Sequence, residues 1–304
     1  MHLRHHKQAS RINSETLGTI YGFLGVLGFS LTLPATRVAV SELDPLVVGL
    51  GRAFVAAIFA TALLWATRQP LPSRNHLKGL LLIVFGVILG FPLLSAWAMQ
   101  RLPAAHGAVV LGLLPLFTAI AGAIRAGERP SRPFWIASTA GSITVVSFGF
   151  ITGAGQLQPA DIALLGAVIA AALGYAEGGQ LARVLGGWQV ISWALVLAAP
   201  LVILPVTMAV LQHGLVASPI AWLGFGYISV VSQFIAFFAW YQGLAIGGVA
   251  RVGQIQLLQP FLTILASATL LGEKITPITL AATGIVIASV ALGKQASIER
   301  REQS

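Results

Sequence analysis

Long apolar runs follow one another along almost the whole chain, each close to the roughly 20 residues that a helix needs to cross a bilayer. Read from break to break, they predict ten spans: 18–35, 45–66, 77–98, 103–124, 133–151, 160–182, 187–210, 220–243, 248–271 and 276–293. The breaks carry helix-ending chemistry: Asp44-Pro45, Gln69-Pro70-Leu71-Pro72, Pro130 and Pro133, Gln158-Pro159, Ser218-Pro219 and Thr276-Pro277. Lipid offers no partner for an unpaired backbone group, so the runs must be helices. A barrel would alternate in polarity, and these runs do not. The connections are short, which leaves no room for an inserted soluble domain. The first apolar run follows a polar, basic stretch over 1–15 and lacks a small-residue cleavage site. It reads as a retained helix.

Composition supports a solvent other than water. Only 9% of the 304 residues are charged and 57% are hydrophobic, against about 25% charged in a soluble domain. The net charge of +9 could suggest nucleic acid, but the basic residues sit in clusters between apolar runs, where they set orientation and meet anionic lipid. No nucleic-acid partner is expected. With no cysteine there is no disulfide or thiolate site. His2, His5 and His6 lie in the polar tail, and His76, His106 and His213 are scattered, so no metal or cofactor is expected. Ten spans put both termini on one side. That side collects fourteen lysines and arginines, including Arg68, Arg74, Arg125, Arg132, Arg183 and Arg251. The other holds three: Arg37, Arg101 and Lys274. The bias predicts cytoplasmic termini in a bacterial-type inner membrane.

The two halves of the chain resemble each other. Leu113-Leu114-Pro115-Leu116-Phe117-Thr118, followed by Gly127-Glu128-Arg129, matches Leu258-Gln259-Pro260-Phe261-Leu262-Thr263, followed by Gly272-Glu273-Lys274, at an offset of 145. Gly28 and Arg37-Val38 match Gly174 and Arg183-Val184 at an offset of 146, and Ala96-Trp97 matches Ala239-Trp240 after a two-residue slip. Each half holds five spans, an odd number, so the second half is inverted. Inverted repeats can rock about a site near the midplane. The expected fold is therefore an all-α integral membrane protein of two inverted five-helix repeats, 18–151 and 160–293. Tails over 1–17 and 294–304 flank them.

The Leu-x-Pro-x-x-Thr…Gly-Glu-(Arg/Lys) pattern closing the fourth and ninth spans resembles the EamA domain of the drug/metabolite transporter superfamily. Two such domains would cover 18–293. The resemblance implies a ten-helix exporter of amino acids, related metabolites or cationic drugs, with the aromatic amino acid exporter branch as the nearest likeness.

Polar groups inside a membrane are expensive, and each is a functional candidate. Arg52 lies in the second span, outward of its midpoint, as a structural or a functional arginine. Glu177 lies toward the inner end of the sixth span. The two differ in depth by roughly 13 Å at 1.5 Å per residue, so the expected inner ion pair is Glu177 with Arg251. Gln254, Gln256, Gln259 and Thr263 make the ninth span the most polar, with Gln256, Gln259 and Thr263 predicted on one face. Pro260 should free a carbonyl there for a substrate. Trp97, Gln233, Trp240, Tyr241 and Tyr175 supply aromatic faces and an amide for an amphipathic or cationic substrate, and each tryptophan also suits an interfacial belt. His106 lies at the outer end of the fourth span and, with Glu177, is a candidate proton carrier. The pattern predicts a small-molecule exporter working by alternating access and not an enzyme. A passive channel or facilitator and a membrane-embedded enzyme are the alternatives.

Overall fold

The computed structural model describes residues 2–125, 127–149, 151, 159–272, 276–295 and 298–300. Its helices are α1 (Ser14–Val40, the apolar part of a helix that begins at His2), α2 (Val47–Ala66), α3 (Arg74–Met99), α4 (Ala104–Arg125), α5 (Arg132–Gly149), α6 (Pro159–Leu185), α7 (Gly187–His213), α8 (Pro219–Gly247), α9 (249–271) and α10 (Pro277–Gln295). Seven of these, α1 to α4 and α6 to α8, are long and apolar enough to cross a membrane. A short antiparallel ribbon, β1 (Glu128–Pro130) with β2 (Ile298–Arg300), is the one pairing of extended segments among the described residues.

The packing follows the repeat. Helix α1 lies along α8 as α6 lies along α3, while α2 meets α7, α4 meets α9 and α5 meets α10. Moving five helices along the chain exchanges the members of every pair, as two related five-helix units require. Glycines set the closest approaches, since small residues let helix backbones touch. A Cβ on Gly18 would fall 2.6 Å from the Gly247 Cα, and one on Gly243 2.7 Å from the Gly22 amide nitrogen. On the α3–α6 contact, a Cβ on Gly86 would fall 2.5 Å from the Ala170 carbonyl oxygen. Gly243→Leu is therefore expected to push α1 off α8. Overpacking costs about 1–3 kcal/mol, so the melting temperature in detergent should drop by several degrees. An unchanged melting curve would contradict this tight contact.

The surface is apolar where lipid would touch it. Ile58, Phe59, Phe85, Leu204, Met208 and Leu223 all point outward and are exposed. Inside, the helices are broken at matched places. Helix α4 is interrupted between Leu111 and Leu114, just ahead of Pro115. Helix α9 tightens into a 3₁₀ turn over Gln254–Leu258, just ahead of Pro260. Proline has no N–H to give the carbonyl four residues back, so regular α geometry fails there. The carbonyl freed by Pro260 belongs to Gln256, and the Gln259 N–H takes it up. In α1, Pro34 frees the Ser30 carbonyl, which accepts the Thr263 hydroxyl at 2.8 Å. Helices α3 and α8 each widen into a π-helical stretch, Val84–Gly90 and Ile228–Ile235. Such stretches often mark functional sites.

Candidate functional site: a buried polar cavity between the halves

The π-helical stretches of α3 and α8 and the breaks in α4 and α9 converge on one narrow cavity with free space of about 20 Å³. Its wall is drawn from both halves: Phe29 and Thr32 of α1, Arg52 of α2, Val87 and Phe91 of α3, and Leu114 of α4. From the second half come Ala171 and Tyr175 of α6, Ser232, Gln233 and Phe237 of α8, and Gln259 of α9. The Thr32 and Ser232 hydroxyls share a 2.8 Å hydrogen bond across the two halves. The rings pack as a unit. Phe29 stacks on Tyr175 at 6.3 Å between centroids with planes 14° apart, and meets Phe237 edge-on at 4.9 Å. Tyr175 and Phe237 in turn lie 6.0 Å apart.

Arg52 is the one charged side chain among the described residues of this wall, and it is only 2% exposed. Its Nε and Nη1 find no hydrogen-bond partner among the described residues, nor does Nε2 of Gln233. Buried donors are normally paired, so each such group asks for an explanation. Among the described residues no carboxylate lines the cavity.

Of the residues expected from sequence, Arg52, Tyr175, Gln233 and Gln259 come together on this wall. Trp240 and Tyr241 stand behind it. Trp240 is buried 5.4 Å from Tyr175, and the Tyr241 hydroxyl donates to the Gly174 carbonyl at 3.4 Å. Gln256 does not share a face with Gln259 in the cavity. The 3₁₀ turn between them swings it toward α4, where its Oε1 accepts the Thr118 hydroxyl at 3.3 Å. Gln254 is buried off the cavity wall with its amide unpaired among the described residues. Trp97 lies elsewhere, its ring 3.9 Å beneath the Arg101 guanidinium carbon. His106 sits away from the cavity too, with its Nε2 2.6 Å from Asp161 Oδ1.

The expected Glu177–Arg251 pair is not formed. Glu177 accepts from Arg125, with Nη2 at 2.7 Å, and Arg251 pairs with Glu15 at the start of α1. Matching depth alone left too many partners open. The repeat offers a sharper rule. Glu15 and Asp161 are separated by the 146 offset, and His106 and Arg251 by the 145 offset. The Glu15–Arg251 and Asp161–His106 pairs are therefore repeat counterparts, held at opposite ends of the bundle. The same rule finds Phe29 from Tyr175 and Leu114 from Gln259, both cavity residues that single-residue reasoning passed over.

The His106 end carries further ties between the halves. Glu42, after α1, accepts the Ser218 backbone N–H at 2.6 Å and its hydroxyl at 2.7 Å. Ser218 caps α8 through Ala221. The Ser218 hydroxyl, with its backbone N–H second, holds the Glu42 carboxyl below the usual carboxylate range. A lowered folded-state pKa means that this contribution is complete above the ordinary glutamate value and fades as pH falls through the lowered one. Thermal stability measured against pH should thus stay flat near neutrality and decline only in acid. Glu42→Gln should shrink that acid decline, and an unaltered profile would rule out this source.

A multi-helix membrane protein with a polar, ring-lined cavity shared by two repeated halves has the build of a transporter. The model of the EamA-like transporter family matches residues 16–150 and again 158–293, and the chain belongs to that family. It is 47% identical to the "Uncharacterized transporter YdeK" of Bacillus subtilis (strain 168), over 93% of this chain and 99% of that protein. A more distant relative is the "Probable terminal-alkyne amino-acid exporter" of Streptantibioticus cattleyicolor. It is 23% identical over 92% of this chain and 94% of that one. A solved crystal structure matches with a TM-score of 0.74 at 18% identity, covering 91% of this chain and 98% of the other, which speaks to the fold alone.

Proposed function

We propose that the chain exports amino acids or related small amphipathic metabolites by alternating access. In this reading all ten helices span a bacterial-type inner membrane with both termini in the cytoplasm. The observation that carries it is the matched pair of ion pairs. Glu15–Arg251 would tie α1 to α9 at the cytoplasmic end, and Asp161–His106 would tie α6 to α4 at the outer end. Inverted halves that exchange conformations would break one tie while keeping its counterpart. Glu15–Arg251 is partly exposed, while Asp161 in the other pair is buried. A partly exposed pair contributes only about 0–1 kcal/mol, so the Glu15–Arg251 tie is weak enough to open within a transport cycle. Arg125–Glu177 would reinforce the inner end. Amino-acid export is named for the distant relative, and the mixed polarity of the cavity lining suits such a cargo.

The chain has no cysteine, so introduced thiols report cleanly. A Ser232→Cys variant places one thiol on the cavity wall. With Glu15→Cys and Arg251→Cys bridged by a thiol cross-linker, an impermeant maleimide should reach position 232 from outside only. With His106→Cys and Asp161→Cys bridged, it should reach it from the cytoplasmic side only. Labelling from both sides in either locked form would indicate a channel and overturn alternating access.

A further inference from the structure

The geometry points to Arg52 as the anchor for a carboxylate on the substrate, so that the cavity selects carboxylates with an apolar or aromatic tail and rejects amphipathic cations. This deepens the reading above and rests on the central cavity being the substrate site.

An arginine stays protonated in a protein. Leaving that charge buried without a counter-charge is costly. Among the described residues no acidic side chain lines the cavity, and Nε and Nη1 of Arg52 lack partners. A planar guanidinium fork matches a carboxylate with two parallel hydrogen bonds. The unpaired Gln233 Nε2, on the same wall, offers a further donor. The same wall carries the rings of Phe29, Tyr175 and Phe237. A bare inorganic anion would gain nothing from the apolar lining of Val87, Phe91 and Leu114. A cation would meet the arginine's own charge.

The test uses the purified full chain in detergent, with binding read by calorimetry and by thermal shift. The probes are L-phenylalanine, 3-phenylpropionate, L-phenylalaninamide, phenethylamine and sodium phosphate. The first two should bind, and the amide, the amine and phosphate should bind about 30-fold more weakly or less, as expected when one partner of a buried charge pair is missing. Arg52→Gln should lose carboxylate binding by a similar factor. Without ligand it should melt no lower than the parent, because it removes a buried charge that nothing pairs. Arg52→Lys should bind carboxylates at an intermediate strength, keeping the charge without the fork. Equal binding of the amine or amide, equal binding of phosphate, undiminished binding by Arg52→Gln, or a clear loss of ligand-free stability in that variant would each overturn the inference. So would a failure of both carboxylates to bind the parent. The thiol-labelling result stands apart from all of these, so loss of the carboxylate anchor and loss of alternating access are told apart.

Discussion

Glu128→Ala is expected to give the largest loss of folded protein of any single change outside the cavity. The Glu128 side chain is fully buried, and its two carboxylate oxygens accept the Val249 and Ala250 backbone N–H groups at 2.8 and 2.7 Å. Those are the first N–H groups of α9, which starts at Gly248 with φ of +93°, and a helix start has no internal partners for them. Arg183, at the end of α6, adds a cation 3.7 Å from the same carboxylate. One side chain thus joins the loop after α4, the start of α9 and the end of α6. Truncation orphans two buried donors, at about 1–3 kcal/mol each, and deprives Arg183 of its counter-charge. A loss on the order of 3–5 kcal/mol is a large share of a typical net stability. Glu128→Gln keeps one acceptor oxygen and should fall between the parent and alanine. Thermal unfolding in detergent gives the ranking. An alanine variant that melts with the parent would remove this carboxylate from the supports of α9.

The second large effect is expected from charge reversal at the ends of the bundle. Arg251→Glu would set two carboxylates against each other at the start of α1 and α9. Like charges placed together cost several kcal/mol, and about 1.4 kcal/mol already shifts a two-state equilibrium tenfold. The variant should stay open at that end and lose at least about tenfold in transport. Glu15→Arg alone should do the same, and the two reversals together should restore the pair and most of the activity. The folded protein should hardly notice, because a partly exposed pair contributes so little to stability. Transport lost without stability, and recovered in the double variant, separates a moving tie from a static one. A double variant as inactive as either single change would refute the tie.

The course of the fold was written plainly in the apolar runs and their proline breaks, because lipid and backbone hydrogen bonding leave a long apolar run little choice but a helix. The cavity was legible in part. Arg52, Tyr175, Gln233 and Gln259 announced themselves as polar or aromatic groups within spans. Gln256 was misplaced because 3.6-residue spacing was carried across a proline that imposes a 3₁₀ turn, and a few tens of degrees are enough to turn a side chain from the cavity to α4. Arg251 was given the wrong partner because depth along the membrane normal is one coordinate and contact needs three. The repeat offset supplies the missing constraint, since it relates Arg251 to His106 and Glu15 to Asp161 before any coordinates are seen. Extended from Arg37, Glu128 and Arg129 to Glu15 and His106, the same offset predicts both ties. The counterpart of Glu128, Glu273, lies outside the described residues.

The central claim is that two inverted halves pass a small solute between them, one occupied cavity at a time. Counterflow in proteoliposomes tests it most directly. Vesicles loaded with an unlabelled amino acid and diluted into a trace of the same labelled compound are followed for uptake across a panel of amino acids. A carrier should drive a transient accumulation of label above equilibrium for at least one of them, and the initial rate should saturate with concentration. Label that only equilibrates, at a rate linear in concentration and indifferent to what is loaded inside, would contradict the account.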